Sequence, residues 1–175
     1  MTKLLSHISI SPATLADAEA ILEIYASYVR DSSVSFEADP PSLAEMEARI
    51  SANLCSHGYF VAKEAGVILG YAYGSQYRPR PAYNTTAEVS VYLAPQAKGC
   101  GLARALYKVL LAHLAARGFH TVIGIVTTPN PASVRLHNAC GFELVGTLRE
   151  VGRKFDNWHG TAIYQRMIGN DETAA

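Results

Sequence analysis

No excess of charge of either sign marks this sequence. Lys and Arg number 15, Asp and Glu number 15, and together they make up only 17% of the chain. A dedicated nucleic-acid binder usually concentrates basic residues on one face, so this balance argues against that class. Cysteine is scarce as well. Cys55, Cys100 and Cys140 are an odd set with no C-x-x-C pair and no Cys/His ligand spacing, which supports neither a disulfide framework nor a zinc site. There is no basic N-terminal segment leading into an apolar run, so no secretory signal is expected. No apolar run approaches the roughly 20 residues that cross a bilayer as a helix. Repeats, low-complexity tracts and linker-like shifts in composition are also missing. These absences leave a single compact domain over residues 1–175, in the reducing cytoplasm, with neither nucleic acid nor membrane as partner.

What is present is a substantial apolar fraction, 49%, with readable periodicity. A first strand is expected near Ile8–Ile10. Thr14-Leu15-Ala16-Asp17 reads as a capping box that opens a helix with Ala18, Ile21, Leu22, Tyr25 and Val29 on its apolar face. Ser42-Leu43-Ala44-Glu45 repeats the signature ahead of Met46, Ile50 and Leu54. Strands are expected over Tyr59–Lys63, Val67–Tyr77, Thr86–Leu93, Thr121–Thr127, Phe142–Arg149 and Thr161–Met167. The Arg78-Pro79-Arg80-Pro81 segment must be a loop, because proline lacks the donor a central strand needs. A helix from about Leu102 to Arg117 carries a leucine stripe and stops at Gly118. Another starts at Asn130-Pro131, with Asn as N-cap, and stops at Gly141. The order is mixed α/β.

The strongest chemical signal is Gln96-Ala97-Lys98-Gly99-Cys100-Gly101-Leu102-Ala103, between a strand and a helix. Two glycines one residue apart let backbone N–H groups turn toward an anion, and the helix dipole adds positive potential there. Lys98 and Arg104 add charge. Taken alone, the pair of glycines equally suits a plain strand-to-helix turn. The spacing matches neither a triphosphate-binding G-x-x-x-x-G-K-[ST] loop nor a dinucleotide-binding G-x-G-x-x-G.

This segment resembles the Q/R-x-x-G-x-G/A pyrophosphate loop of the GNAT acetyltransferase superfamily. A second segment, Asn130-Pro131-Ala132-Ser133-Val134-Arg135-Leu136-His137-Asn138-Ala139-Cys140-Gly141-Phe142, is similar to that family's N-x-x-S-x-x-L-[YH]-x-x-x-G-F motif. Further stretches resemble the branch holding phosphinothricin and methionine sulfoximine/sulfone acetyltransferases. They are Val34-Ser35-Phe36, Arg80–Tyr83, Thr86–Tyr92 and Gly152–His159, the last with an N/D-W-H signature. Cys100 departs mildly from the loop pattern, where larger polar or basic residues are common.

The resemblance implies an α/β (α+β) GNAT fold, with a mixed, mostly antiparallel sheet flanked by helices and splayed between its fourth and fifth strands. It implies acetyl-CoA as cosubstrate, no metal, a small amino-acid-like acceptor and a homodimer. Acetyl-CoA contacts would come from Val91, Tyr92 and Leu93, from Gln96, Lys98, Gly99, Cys100, Gly101, Leu102, Ala103 and Arg104, and from Asn130 and Ser133. A backbone N–H near Val91–Leu93 would meet the oxyanion.

An amine attacks a thioester only when unprotonated, so a base is useful. Glu88 lies on the face of its strand opposite Val89 and Val91, where partial burial would raise its pKa. A salt-bridged or surface carboxylate fits the same pattern, and the branch places its base here. The family's acid, commonly a Tyr, matches His137, with Tyr92 and Tyr107 as competing donors. Arg78 and Arg80 can grip a carboxylate from a proline-stiffened loop. Phe36, Tyr83 and Trp158 are candidate walls of the acceptor pocket, and Lys154 and His159 can meet a phosphinate, sulfone or sulfoximine oxygen. Trp158 and His159 equally suit a dimer contact. Other readings stay open: the same chemistry on a polyamine, an aminoglycoside or a protein N-terminus, or an acetyl-CoA sensor without turnover.

Overall fold

The structure is a computed structural model that describes residues 7–169. Seven strands form one sheet: β1 (Ile8–Pro12), β2 (Tyr59–Glu64), β3 (Val67–Gln76), β4 (Thr86–Leu93), β5 (Thr121–Thr128), β6 (Glu143–Lys154) and β7 (Asn157–Met167). Their spatial order is β1-β2-β3-β4-β5-β7-β6. Neighbours are antiparallel except β4 and β5, which run parallel. The helices are α1 (Ala18–Asp31), α2 (Leu43–Ser56), α3 (Leu102–Ala116) and α4 (Pro131–Ala139). None of them is long and apolar enough to cross a membrane.

The sheet carries a core on each face. On one side, the leucine stripe of α3 (Leu102, Leu106, Leu110, Leu114) is fully buried against Ala72, Ala87, Val89 and Val122. Each such leucine contributes about 1.5–3 kcal/mol by leaving water. On the other side, Ile21, Tyr25 and Val29 of α1 and Met46 and Ile50 of α2 pack on Tyr59, Val61 and Tyr71. The alternation along β4 supplies both: Ala87 and Val89 turn to α3, while Tyr92 meets Tyr25 and Tyr71.

Local signals place the ends. Asp17 accepts hydrogen bonds from the backbone N–H and hydroxyl of Thr14 at 2.9 and 3.1 Å. That box closes a 3₁₀ turn, Leu15–Asp17, so α1 proper begins one turn later than its sequence signature suggests. The box at Ser42 caps α2 directly, with Glu45 and Ser42 bonded reciprocally. Gly118 and Gly141 end α3 and α4 with φ of +84° and +75°, where a side chain would be strained.

The largest departure from the sequence reading lies at residues 150–160. They are strand and turn, joining β6 and β7 into one long hairpin that extends both strands beyond expectation. Phe155 and Asp156 form its turn with φ of +49° and +60°, the twist that matches a two-residue hairpin. The ladder skips between Leu148 and Gly152, where Glu150 also has positive φ.

Candidate active site

The parallel ladder between β4 and β5 has three rungs: Thr86 with Thr121, Ala87 with Val122, Glu88 with Ile123. Beyond Glu88 the strands part, which is the splay expected between strands 4 and 5. The register of β4 fixes what faces the gap. Ala94 N–H donates to Leu69 O at 2.9 Å, so even-numbered residues share rungs with β3. Val89, Val91 and Leu93 therefore turn their N–H and C=O groups toward the opening. The cleft between the strands is lined by Val89–Tyr92, Ile125–Thr127, Asn130, Ser133, His137, Tyr107 and Val34.

At one end of this cleft is the Gly99-Cys100-Gly101 loop. Gly99 and Gly101 adopt φ of +80° and +89°, and no atom of the described residues lies near either absent Cβ, so backbone conformation rather than space demands glycine here. Cys100 Sγ turns inward onto Ala97 O, while Gln96, Lys98, Gly99 and Gly101 are exposed at the start of α3. Leu102 is buried in the core, so only its backbone can serve a ligand. Beside the loop, a cavity of about 900 Å³ includes Arg104, Lys108 and Arg166 in its lining and no carboxylate. Across the cleft, Asn130 Oδ1 accepts from Ser133 N–H at 3.1 Å as N-cap of α4, which leaves the Asn130 Nδ2 as donor.

Glu88 stands on the last rung before the gap, opposite Ser75 of β3. Among the described residues it has no hydrogen-bond or ion-pair partner, and burial pushes its pKa up from the usual carboxylate range. On the same face as Ser75, a cavity of about 180 Å³ is lined by Tyr25, Tyr59, Tyr71, Tyr73, Asn53 and Arg49. Arg49 in turn pairs with Glu37 at 2.6 Å. Sequence reasoning missed this tyrosine-lined cavity; the Tyr71/Tyr73 alternation along β3 was its only trace.

His137 lines the cleft but is largely enclosed. It is 4% exposed and ringed by Tyr107, Phe142 and Tyr164. Its Nδ1 lies 2.8 Å from Ser133 O, a partner that can only accept, so Nδ1 carries the proton. Among the described residues Nε2 has no partner, and it abuts Gly124, where any Cβ would collide with it. Burial lowers its pKa, so the ring is neutral and its bare Nε2 has no proton to give. An acid role for His137 would need a proton on Nε2, which this hydrogen-bonding arrangement does not favour. The competing donors Tyr92 and Tyr107 are both pushed up by burial, and the Tyr107 hydroxyl donates to Val89 O at 3.4 Å.

The expected acceptor-binding residues fall into two groups. Arg78 lies over the rings of Tyr77 and Tyr83, 5.1 and 5.7 Å from their centroids. Arg80 is exposed and enters no ion pair among the described residues. Phe36 lies over Gly152 and 6.2 Å from the His159 ring. Lys154 is engaged by the protein itself. Its ammonium is buried, donating to Val29 O at 2.6 Å and Ser35 O at 2.7 Å. It ties the end of α1 to the loop carrying Phe36 rather than facing a free ligand oxygen. Trp158 is 61% exposed, too open to wall a pocket within one chain.

A parallel pair that parts beside a glycine loop at a helix N-terminus, with a half-buried carboxylate at the fork, is an arrangement suited to an acyl-group transferase with a phosphate-bearing carrier. An acetyltransferase (GNAT) domain model matches residues 10–163, and the chain belongs to that family. It is 43% identical over 159 residues to a phosphinothricin N-acetyltransferase of Alcaligenes faecalis, covering 90% of this chain and 81% of that one. It is 35% identical over 169 residues to an L-methionine sulfoximine/L-methionine sulfone acetyltransferase of Pseudomonas paraeruginosa, covering 95% and 98%. The crystal structure of a GNAT superfamily phosphinothricin acetyltransferase from Sinorhizobium meliloti in complex with AcCoA superposes with a TM-score of 0.90. That chain is 39% identical, with 93% of this chain and 89% of that one covered.

Proposed function

We propose that this chain, as one domain, transfers acetyl from acetyl-CoA to the α-amino group of a small amino-acid-like acceptor. Phosphinothricin, methionine sulfoximine and methionine sulfone are the acceptor types its relatives' names supply. The observation that carries the reading is Glu88, half-buried and without a partner among the described residues, at the fork where β4 and β5 part.

In this reading the thioester arm lies in the cleft, its diphosphate on the Gly99–Gly101 backbone with Lys98 and Gln96 alongside, and its nucleotide end toward Arg104, Lys108 and Arg166. Asn130 and Ser133 border the arm. The acceptor nitrogen enters on the Glu88 side, and Glu88, directly or through one water, removes its proton as the C–N bond forms. The Val91 N–H faces the negative charge that develops on the carbonyl oxygen. The C–S bond breaks last. A thiolate is a far better leaving group than an amine anion, so solvent can supply its proton without help from His137.

Arg80 and Arg78 receive the acceptor's carboxylate, and Phe36, Tyr83 and His159 flank its side chain. A homodimer is supported by the apolar residues exposed along edge strand β6 and its turn. A cytoplasmic setting agrees with three unpaired cysteines. The test is steady-state kinetics with a carboxylated acceptor. Intersecting initial-velocity lines are expected, and Arg80→Ala should raise the acceptor KM about tenfold or more while leaving acetyl-CoA KM alone. Parallel lines, or an unchanged acceptor KM when both arginines are removed, would contradict the assignment.

A further inference from the structure

Strand β4 presents three odd-numbered residues to the opening, and two of them are already engaged. Val89 lies next to the last rung with β5, and its carbonyl accepts from the Tyr107 hydroxyl. Leu93 is held by a residue from a different layer. The Tyr28 hydroxyl of α1 donates to Leu93 O at 2.8 Å and accepts from Leu93 N–H at 3.3 Å. One hydroxyl thus stands in for the rung that β5 has stopped supplying. Between them, Val91 keeps both backbone groups facing the gap.

Tyr28 is itself well fixed. Ser32 Oγ donates to its carbonyl at 2.8 Å, and Lys154 holds the carbonyl of Val29 next to it. Its ring meets Tyr92 edge-on at 5.2 Å. Lys98 of the phosphate loop places its ammonium 4.8 Å from the ring centroid. The residue therefore touches both the strand that meets the thioester arm and the loop that meets the phosphates.

Resting on the reading of this opening as the acetyl-CoA channel, we infer that Tyr28 is a positioning residue that pins the register of the pantetheine arm by occupying the Leu93 peptide groups. The arm carries amides that pair with a strand edge. An unoccupied Leu93 would offer a second docking position two residues along β4, displacing the thioester by about 6–7 Å from the fork where Glu88 stands. Tyr28 removes that alternative and leaves Val91 as the docking point.

The test is Tyr28→Phe, which keeps the ring under Lys98 and removes only the hydroxyl. A second, unproductive register lowers kcat and acetyl-CoA KM by the same factor, roughly two- to fivefold, with kcat/KM nearly unchanged. A merely structural loss would raise KM and lower kcat/KM. A second measurement uses the unsubstituted protein: amide hydrogen exchange with and without CoA. The Leu93 amide should be equally protected in both states, while the Val91 amide gains protection on binding. Unchanged kinetics, a raised acetyl-CoA KM, or Leu93 protection that appears only with CoA each overturns the inference. Absence of turnover on any amine in the unsubstituted protein would instead remove the proposed activity, and the exchange experiment would still decide the role of Tyr28.

Discussion

Burial acts on Glu88 and His137 in opposite senses. It raises the carboxylate's pKa, which makes Glu88 a better base near neutrality, and it lowers the imidazole's, which leaves His137 uncharged. A base works deprotonated, so kcat/KM should fall with one-proton dependence as pH drops through the raised pKa of Glu88. Glu88→Gln should abolish that limb and lower the plateau about 10²–10⁴-fold. His137→Gln should keep the limb and lose less than about tenfold, whereas a hundredfold loss would restore the acid role. The histidine matters to stability instead. Its folded pKa lies below the unfolded value of about 6.5, so its contribution is complete above that pH and is lost as pH falls below it. The side of β4 on which Glu88 stands was legible from alternation alone. The state of His137 was not, because it depends on Gly124, thirteen positions away in sequence, and on which atom Ser133 offers.

Among the elements, the β6–β7 hairpin shows where pattern reading stops. Alternation reveals a strand when one face is buried, yet β6 exposes apolar and charged residues alike. Its extension past Arg149 therefore left no periodic trace. The leucine stripe of α3 and the alternation of β4 were readable for the converse reason, since each has one face in a closed core. Lys154 sits at the hairpin's end, where its neighbours in sequence suggested a ligand contact and its neighbours in space are carbonyls. Lys154→Met should leave Val29 O and Ser35 O unpaired and cost roughly 2–4 kcal/mol in urea unfolding. It should also raise the acceptor KM, because the loop bearing Phe36 loses its tie to α1. A variant as stable as the parent would show that the two hydrogen bonds contribute nothing.

For the whole molecule, the order of the sheet leaves β6 as an edge strand with Leu144, Val145, Leu148 and Val151 exposed, and Phe155 and Trp158 exposed beside it. Exposed apolar edges invite pairing, and a second copy of the chain would cover this one. Sedimentation should find a dimer, and Val145→Lys with Leu148→Lys should yield a folded monomer. A monomeric parent protein would refute the homodimer. The fold as a whole was readable because its motifs come in family order, the glycine loop after the fourth strand and the Asn-capped helix after the fifth. The tyrosine-lined cavity beside Ser75 was not, since it forms only where α1, α2, β2 and β3 meet.

The most direct measurement is release of free CoA thiol from acetyl-CoA, with methionine sulfone, methionine sulfoximine, phosphinothricin, spermidine and an aminoglycoside assayed side by side. The account predicts saturable turnover of the first three, abolished or nearly so in Glu88→Gln. Turnover of spermidine or the aminoglycoside with silence on the amino-acid analogues would contradict the acceptor assignment, and tight CoA binding without turnover of any amine would contradict catalysis itself.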